Sequence, residues 1–319
     1  METMNPVRDA DAVRRALPAH PTRGWRPGVR RAVLAAVFLC VGLAVWGRAA
    51  PARAGEDIVV RAGGVALDVR VLGQGPPLLV LTGYAMTTQM WDADFIRGLA
   101  AGRRVILMDN RGMGPSALPE GADISIRGMA EDAATALDAL HIDRADVLGW
   151  SMGGMIALEL ALAWPERVRS LALLSTVADM GPLLPALERM ASMSGEEIRQ
   201  AMFPAGWAEA HPEVWARLAQ RPRPPDMAVI QGQEAAMRRW PGVMGRLGDI
   251  RGPVLLLAGS ADWVCPPGAS RSMFDRLATR PGPATAVEEV GQGGHWMMHQ
   301  FPLMLAGMVN GFLESQPCE

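Results

Sequence analysis

An α/β fold built on a mostly parallel sheet is what the chain predicts, on three observations. From residue 76 onward, short apolar runs alternate with helix-compatible stretches, the pattern of strands joined by crossover helices. The runs at 78–81 and 253–259 are almost purely aliphatic, as expected of strands buried on both faces. Ser151, Asp262 and His295 each follow the end of such a run, the edge where open α/β sheets gather ligand chemistry.

The elements follow in order. Residues 58–72 alternate about Gly63-Gly64 and read as a β-hairpin opening the domain. Pro76-Pro77 introduces the first deeply buried strand, 78–81. Residues 91–101 fit a helix, 104–108 a strand, and 124–141 an amphipathic helix with apolar positions three and four apart. An apolar run ending at 145–148 is followed by a helix-like stretch at 154–164 and a strand at 168–175. Strand signals then vanish from 179 to 249, where pieces rich in Met, Ala, Trp, Pro and Arg take over. Strands at 253–259 and 285–290 and a last helix at 302–313 complete the sheet and its cover. A single core, 55–178 with 250–319, is thus interrupted by a helical insertion at 179–249. As a cap, this insertion would use Met190, Met193, Met202, Met227, Met237 and Trp240 as adaptable apolar lining. Arg221-Pro222-Arg223-Pro224-Pro225 inside it reads as an extended loop.

At 319 residues, half of them hydrophobic, the chain can enclose one large core. Its first part stands outside that core. Arg23, Arg26, Arg30 and Arg31 precede an uncharged apolar stretch, 32–46, and Ala52-Arg53-Ala54 supplies small residues for cleavage. Residues 1–54 are therefore read as an export leader, which predicts a secreted or periplasmic protein. The stretch is shorter than the roughly 20 residues that span a bilayer; left uncleaved, it would serve as the membrane anchor. Arg30-Arg31 fits twin-arginine export.

Without the leader, 22 arginines face 30 acids, a net charge near −8, and no basic stripe stands out, so nucleic acid is not an expected partner. All 31 basic residues are arginine, which excludes lysine Schiff-base chemistry. Cys265 and Cys318 are too few for a disulfide framework, although one bridge between them is conceivable.

Gly149-Trp150-Ser151-Met152-Gly153 sits between a strand-like run and a helix-like stretch. A turn that passes directly from buried strand to helix strains its central residue and needs glycine at its flanks, so Ser151 is lifted clear of the sheet. Such an elbow calls for an acid and then a histidine later in the chain, and Asp262 and His295 meet that order. His141, His211 and His299 are the other histidines beyond the leader. His299 is the competitor, placed where it should start the last helix; a metal shared by His295 and His299 lacks an intervening glutamate and a cysteine cluster. Asp179 is the rival acid, after the strand at 168–175. Asp109 and Arg111 are assigned to knitting the loop beneath the site.

Leu81-Thr82-Gly83-Tyr84, Asp109-Asn110-Arg111-Gly112-Met113-Gly114-Pro115-Ser116, the Ser151 elbow, and Gly259-Ser260-Ala261-Asp262 with Gly294-His295 fall in one order at successive strand ends. In these motifs the chain resembles the α/β-hydrolase family from about residue 57 to its C-terminus. The resemblance implies Ser151 as nucleophile, His295 as general base and Asp262 as the acid orienting it. It also implies backbone N–H groups of Met152 and Tyr84 as the oxyanion hole. Thr82 departs from the family, in which many members carry histidine at that place, and makes Ala85 a substitute donor. The expected activity is hydrolysis of a carboxylic ester or lactone of a small hydrophobic substrate, without cofactor or metal. A cofactor-free peroxidase, perhydrolase or acyltransferase on the same three residues is the alternative; a binding module that kept only the fold is the third reading. Serine at the elbow argues against epoxide hydrolases and haloalkane dehalogenases, which use aspartate there.

Overall fold

The computed structural model describes residues 56–62, 64–118, 121–219 and 226–316. The leader, Cys318 and the proline-rich loop 221–225 lie outside them. Eight strands form one sheet in the order β1-β2-β4-β3-β5-β6-β7-β8. The hairpin β1 (Glu56–Ala62) and β2 (Val65–Leu72) is antiparallel, with Ala62 opposite Val65, and β2 meets β4 (Arg104–Met108) antiparallel as well. From β4 onward every pairing is parallel: β3 (Pro77–Leu81), β5 (Ala145–Trp150), β6 (Val168–Leu174), β7 (Val254–Gly259) and β8 (Thr285–Val290).

The aliphatic runs occupy the middle. Every residue of β5 and β7 is buried, whereas β8, at the edge, is mostly half-buried. One residue of β5 breaks the pattern: Asp146 is fully buried. The side chains of Arg103 and Arg169 both reach its carboxylate, and a charge removed from water persists in a core only when so paired.

Helix boundaries follow their caps. The helix expected at 91–101 is α1 (Ala93–Ala100), begun by Asp92, whose carboxylate accepts from the Asp94 and Phe95 amides. That expected at 124–141 is α2 (Ile126–Ala139), begun by Ser125, whose hydroxyl accepts from Gly128. Helix α3 (Met152–Ala163) starts two residues earlier than its apolar pattern implies, because Ser151 itself is the hinge. Helix α2 packs on α3, and α1 packs on the last helix, α11 (Pro302–Glu314). Between β7 and β8 lies α9 (Pro267–Ala278).

Between β6 and β7, five helices replace strand structure: α4 (Leu184–Met190), α5 (Gly195–Ala201), α6 (Trp207–Ala210), α7 (Pro212–Ala219) and α8 (Met227–Arg239). Their return to the sheet is tied to α3 through buried Glu159, which accepts from the Trp240 indole and pairs with Arg246. Of the apolar residues expected as lining, Met202, Met237 and Trp240 are buried and Met190 and Met193 half-buried. Met227 is 61% exposed, so that expectation fails. It is the first residue of α8 and lies off the buried stripe of Val229, Gln233, Ala236 and Met237.

The sheet constrains the elbow through Gly153. A Cβ there would lie 2.2 Å from the Leu81 carbonyl oxygen and 2.8 Å from that of Thr82. Backbone cannot swing aside as a side chain can. Gly153→Ala should therefore cost about 3 kcal/mol or more in urea unfolding, and a loss under about 1 kcal/mol would mean that α3 and β3 are not in such close contact.

Candidate active site

Strand β5 runs into Ser151 at φ 55 and ψ −122, a conformation that costs a non-glycine residue on the order of 1–3 kcal/mol. Its backbone is fastened on both sides. The Ser151 amide donates to the Leu174 carbonyl at 3.0 Å, while its own carbonyl accepts from the Gly154 amide at 2.8 Å and the Thr176 hydroxyl at 2.7 Å. Met152 is then the first residue of α3, where helical N–H groups have no carbonyl of the preceding turn to bond.

Asp262 belongs to the turn after β7, its amide 3.2 Å from the Gly259 carbonyl oxygen. One carboxylate oxygen accepts from the amides of Val264 and Cys265, both at 2.9 Å. The other lies 2.9 Å from Nδ1 of His295. Across the ring, Nε2 lies 3.0 Å from Oγ of Ser151. All three side chains are buried. Such an alignment can hold one imidazole tautomer and draw a proton from a hydroxyl.

The histidine loop is braced from four directions. The Ser260 and Ala261 amides reach the Val290 and Gly293 carbonyls, and Gln300 takes the Gly294 amide at 2.7 Å and donates to the Gln292 carbonyl. From the elbow, the Trp150 indole donates to the His295 carbonyl at 3.0 Å. From the insertion, the Met202 carbonyl accepts from the Trp296 amide. The roles of Trp150 and Gln300 escape a reading for triad residues, since both act by bonding the main chain.

The competing residues lie elsewhere. Asp179 accepts from the Gly181 amide. His299 falls not at the start of the last helix but in a separate short turn, α10 (Met297–Gln300), where it is buried with Nδ1 3.6 Å from Asp92. His211 stacks on Trp207, and His141 is exposed at the end of α2. Cys265 packs beside Ser151 and Asp262; burial and the Asp262 charge push its thiol well above the ordinary range, so it stays protonated and is no rival nucleophile.

After β3, the chain turns at Gly83, whose missing side chain leaves room for the Trp150 ring; a Cβ would be 2.4 Å from it. Thr82 is buried and its hydroxyl accepts from Asn110 at 3.1 Å, which ties this turn to the loop after β4. Tyr84 follows, half-buried, with burial and the nearby Glu234 charge pushing its phenol to about 12. The amide of Ala85 is already taken by the Gln233 side chain at 3.0 Å, so it does not substitute for that of Tyr84.

Arg111 clamps Asp132 with two nitrogens, at 2.7 and 2.8 Å, and also reaches the Asp123 and Gly128 carbonyls. Its role is to knit the loop, as the sequence suggests. Asp109 is not its partner. That carboxyl accepts from the Thr88 amide, while its other oxygen has no hydrogen-bond partner among the described residues.

Comparison with known proteins agrees with this architecture. A family model described as the alpha/beta hydrolase fold matches residues 76–302. The chain belongs to the α/β-hydrolase fold family. A protein of Azorhizobium caulinodans provisionally named carbamate hydrolase RutD is 32% identical over 271 residues, which cover 78% of this chain and 96% of that protein. The 2-hydroxymuconate semialdehyde hydrolase of a Pseudomonas species is 27% identical, covering 81% and 93%. The solved structure of Est816, described as an N-acyl homoserine lactone degrading enzyme, aligns with a TM-score of 0.67 and 26% identity over 80% of this chain and all of that one. These relatives support a hydrolase.

Asp109 gives the loop beneath the site a pH signature. Burial raises its carboxyl from 3.8 to about 7, although the Thr88 amide pulls the other way. The folded chain then keeps a proton that the unfolded chain has lost, so this group's contribution to stability falls as pH rises from about 4 to about 7. Asp109→Asn should reduce the loss of unfolding free energy between pH 5 and pH 7.5 by on the order of 1–3 kcal/mol. An unchanged loss would place the carboxyl's titration elsewhere.

Proposed function

We propose that the protein is a serine hydrolase that cleaves a carboxylic ester or lactone of a small hydrophobic substrate through an acyl-enzyme on Ser151. The observation that carries the reading is the hydrogen-bonded line from Ser151 Oγ through His295 to Asp262. His295 takes the hydroxyl proton as Ser151 attacks the carbonyl, then returns it to the departing alkoxide. Water enters by the same route, and the acid leaves. Asp262, anchored by two amides, keeps the imidazole oriented and stabilises it when protonated.

The developing oxyanion is received by the N–H groups of Met152 and Tyr84. The helix start behind Met152 adds a favourable field, and the neutral Tyr84 phenol adds no opposing charge. The insertion acts as a cap. Phe203 stacks on Trp207 with ring centres 4.2 Å apart and meets Trp296 edge-on at 5.8 Å, so aromatic surface adjoins the histidine loop. An apolar acyl group suits such a wall, and the ester and lactone class is supported by a relative that degrades lactones.

An organophosphorus probe should label Ser151 in the folded protein and leave Ser151→Ala unlabelled. On p-nitrophenyl esters, Asp262→Asn should lower kcat by roughly 10³–10⁴-fold and Asp179→Asn by less than about threefold. A folded protein inert to the probe overturns the reading, and equal losses in the two aspartate variants overturn the choice of acid.

The leader belongs to the same proposal: residues 1–54 direct export and are removed, leaving an enzyme that works outside the cytoplasm. Mass analysis of the exported chain should give an N-terminus at Gly55. An intact leader on the exported protein would make it an anchor instead.

A further inference from the structure

From α8 the insertion sends a hydrogen-bonding side chain to the turn after β3. Gln233, on α8, is fully buried, and its Oε1 accepts from the Ala85 amide at 3.0 Å across 148 residues of sequence. Its Nε2 has no hydrogen-bond partner among the described residues. Leucine would fill a similar volume without stranding an amide, so packing does not account for the glutamine. What distinguishes it is the oxygen on Ala85.

Ala85 needs that oxygen. Gly83 to Met86 form a tight turn closed by the Met86 amide on the Gly83 carbonyl at 3.3 Å. Ala85, its third residue, has a φ of 56, while Tyr84 is not in the left-handed region. This is the signature of a type II turn, whose third position normally requires glycine. With alanine there, the central peptide tends to turn over, and a fixed acceptor for the Ala85 N–H opposes that. The Gly83 face is pinned as well, by the Trp150 ring.

We propose that Gln233 is a positioning residue for catalysis: its side-chain oxygen holds the Tyr84–Ala85 turn in the conformation that presents the Tyr84 N–H to the reacting carbonyl. This rests on the serine-hydrolase reading above. The oxyanion hole is then complete only while α8 is seated, so this hydrogen bond couples the insertion to the chemistry. The effect falls on the transition state, because a donor displaced by a fraction of an ångström loses most where negative charge develops.

Gln233→Leu, Ala85→Gly and the double variant decide the matter with p-nitrophenyl butyrate. Gln233→Leu should lower kcat on the order of 10- to 100-fold, with KM within about threefold and the thermal midpoint nearly unchanged. Ala85→Gly makes the left-handed turn free of steric cost, so in the double variant it should restore kcat at least about fivefold over Gln233→Leu. A bystander in the core would not respond to that rescue. Unchanged kcat in Gln233→Leu, or a loss that Ala85→Gly does not restore, overturns the proposal while leaving the hydrolase reading intact. Wild-type protein inert to both ester and organophosphorus probe defeats that reading and this inference together.

Discussion

Between β5 and α3 the chain reverses its character within one residue, and Ser151 carries the cost in its backbone. A side chain in that conformation survives because hydrogen bonds to both ends of the residue and the close approach at Gly153 leave it no alternative. The Leu174 carbonyl holds the amide, Thr176 and Gly154 hold the carbonyl, and Gly153 lets α3 sit against the end of β3. The sheet therefore does more than support the site. Its register places the last carbonyls of β3 and β6 on either side of the elbow, and a shift of either strand would release the strain and with it the serine's direction.

The remaining groups are located from that point by main-chain bonds. The histidine loop bonds to the acid turn before it bonds to the serine: Ser260 and Ala261 join Val290 and Gly293. Asp262 and His295 thus sit on two loops bonded to each other, and Trp150, the residue preceding the serine, fastens them to the elbow through the His295 carbonyl. A contact of 3 Å between Oγ and Nε2 is reproducible only with such bracing, since either side chain alone has rotamer freedom to leave it. Sequence distances of 144 and 33 residues are bridged with the help of neighbours that bond the main chain.

Legibility of the sequence follows the range of the forces involved. The strands at 78–81 and 253–259, the elbow and the order Ser151, Asp262, His295 are all written locally, in aliphatic runs and in glycines required by close backbone approach. Helix ends were less legible where a polar cap, Asp92 or Ser125, competes with an apolar pattern that continues past it. Asp146 reads as a flaw in a buried strand until Arg103 and Arg169 arrive from separate segments to neutralise it. Met227 is exposed against expectation because methionine content says nothing of which helical face a residue occupies. The pattern puts His299 at the start of the final helix, whereas Phe301 and Pro302 separate it into a turn of its own, paired with Asp92.

Gln233 carries a signal in the sequence. Val229, Gln233, Ala236 and Met237 recur at helical spacing, so a glutamine stands on the stripe that α8 buries. A polar residue on such a stripe must find a partner or destabilise the fold, and its partner here is the Ala85 main-chain N–H in the turn after β3. Periodicity alone could have flagged the position, but not the target 148 residues away. Thr82 belongs to the same logic. By bonding Asn110 it ties the end of β3 to the loop after β4, as Gln233 ties the next turn to the insertion. The two bonds fall on either side of Tyr84 in the sequence, at Thr82 and Ala85, so the turn after β3 is held by side chains from two other parts of the fold.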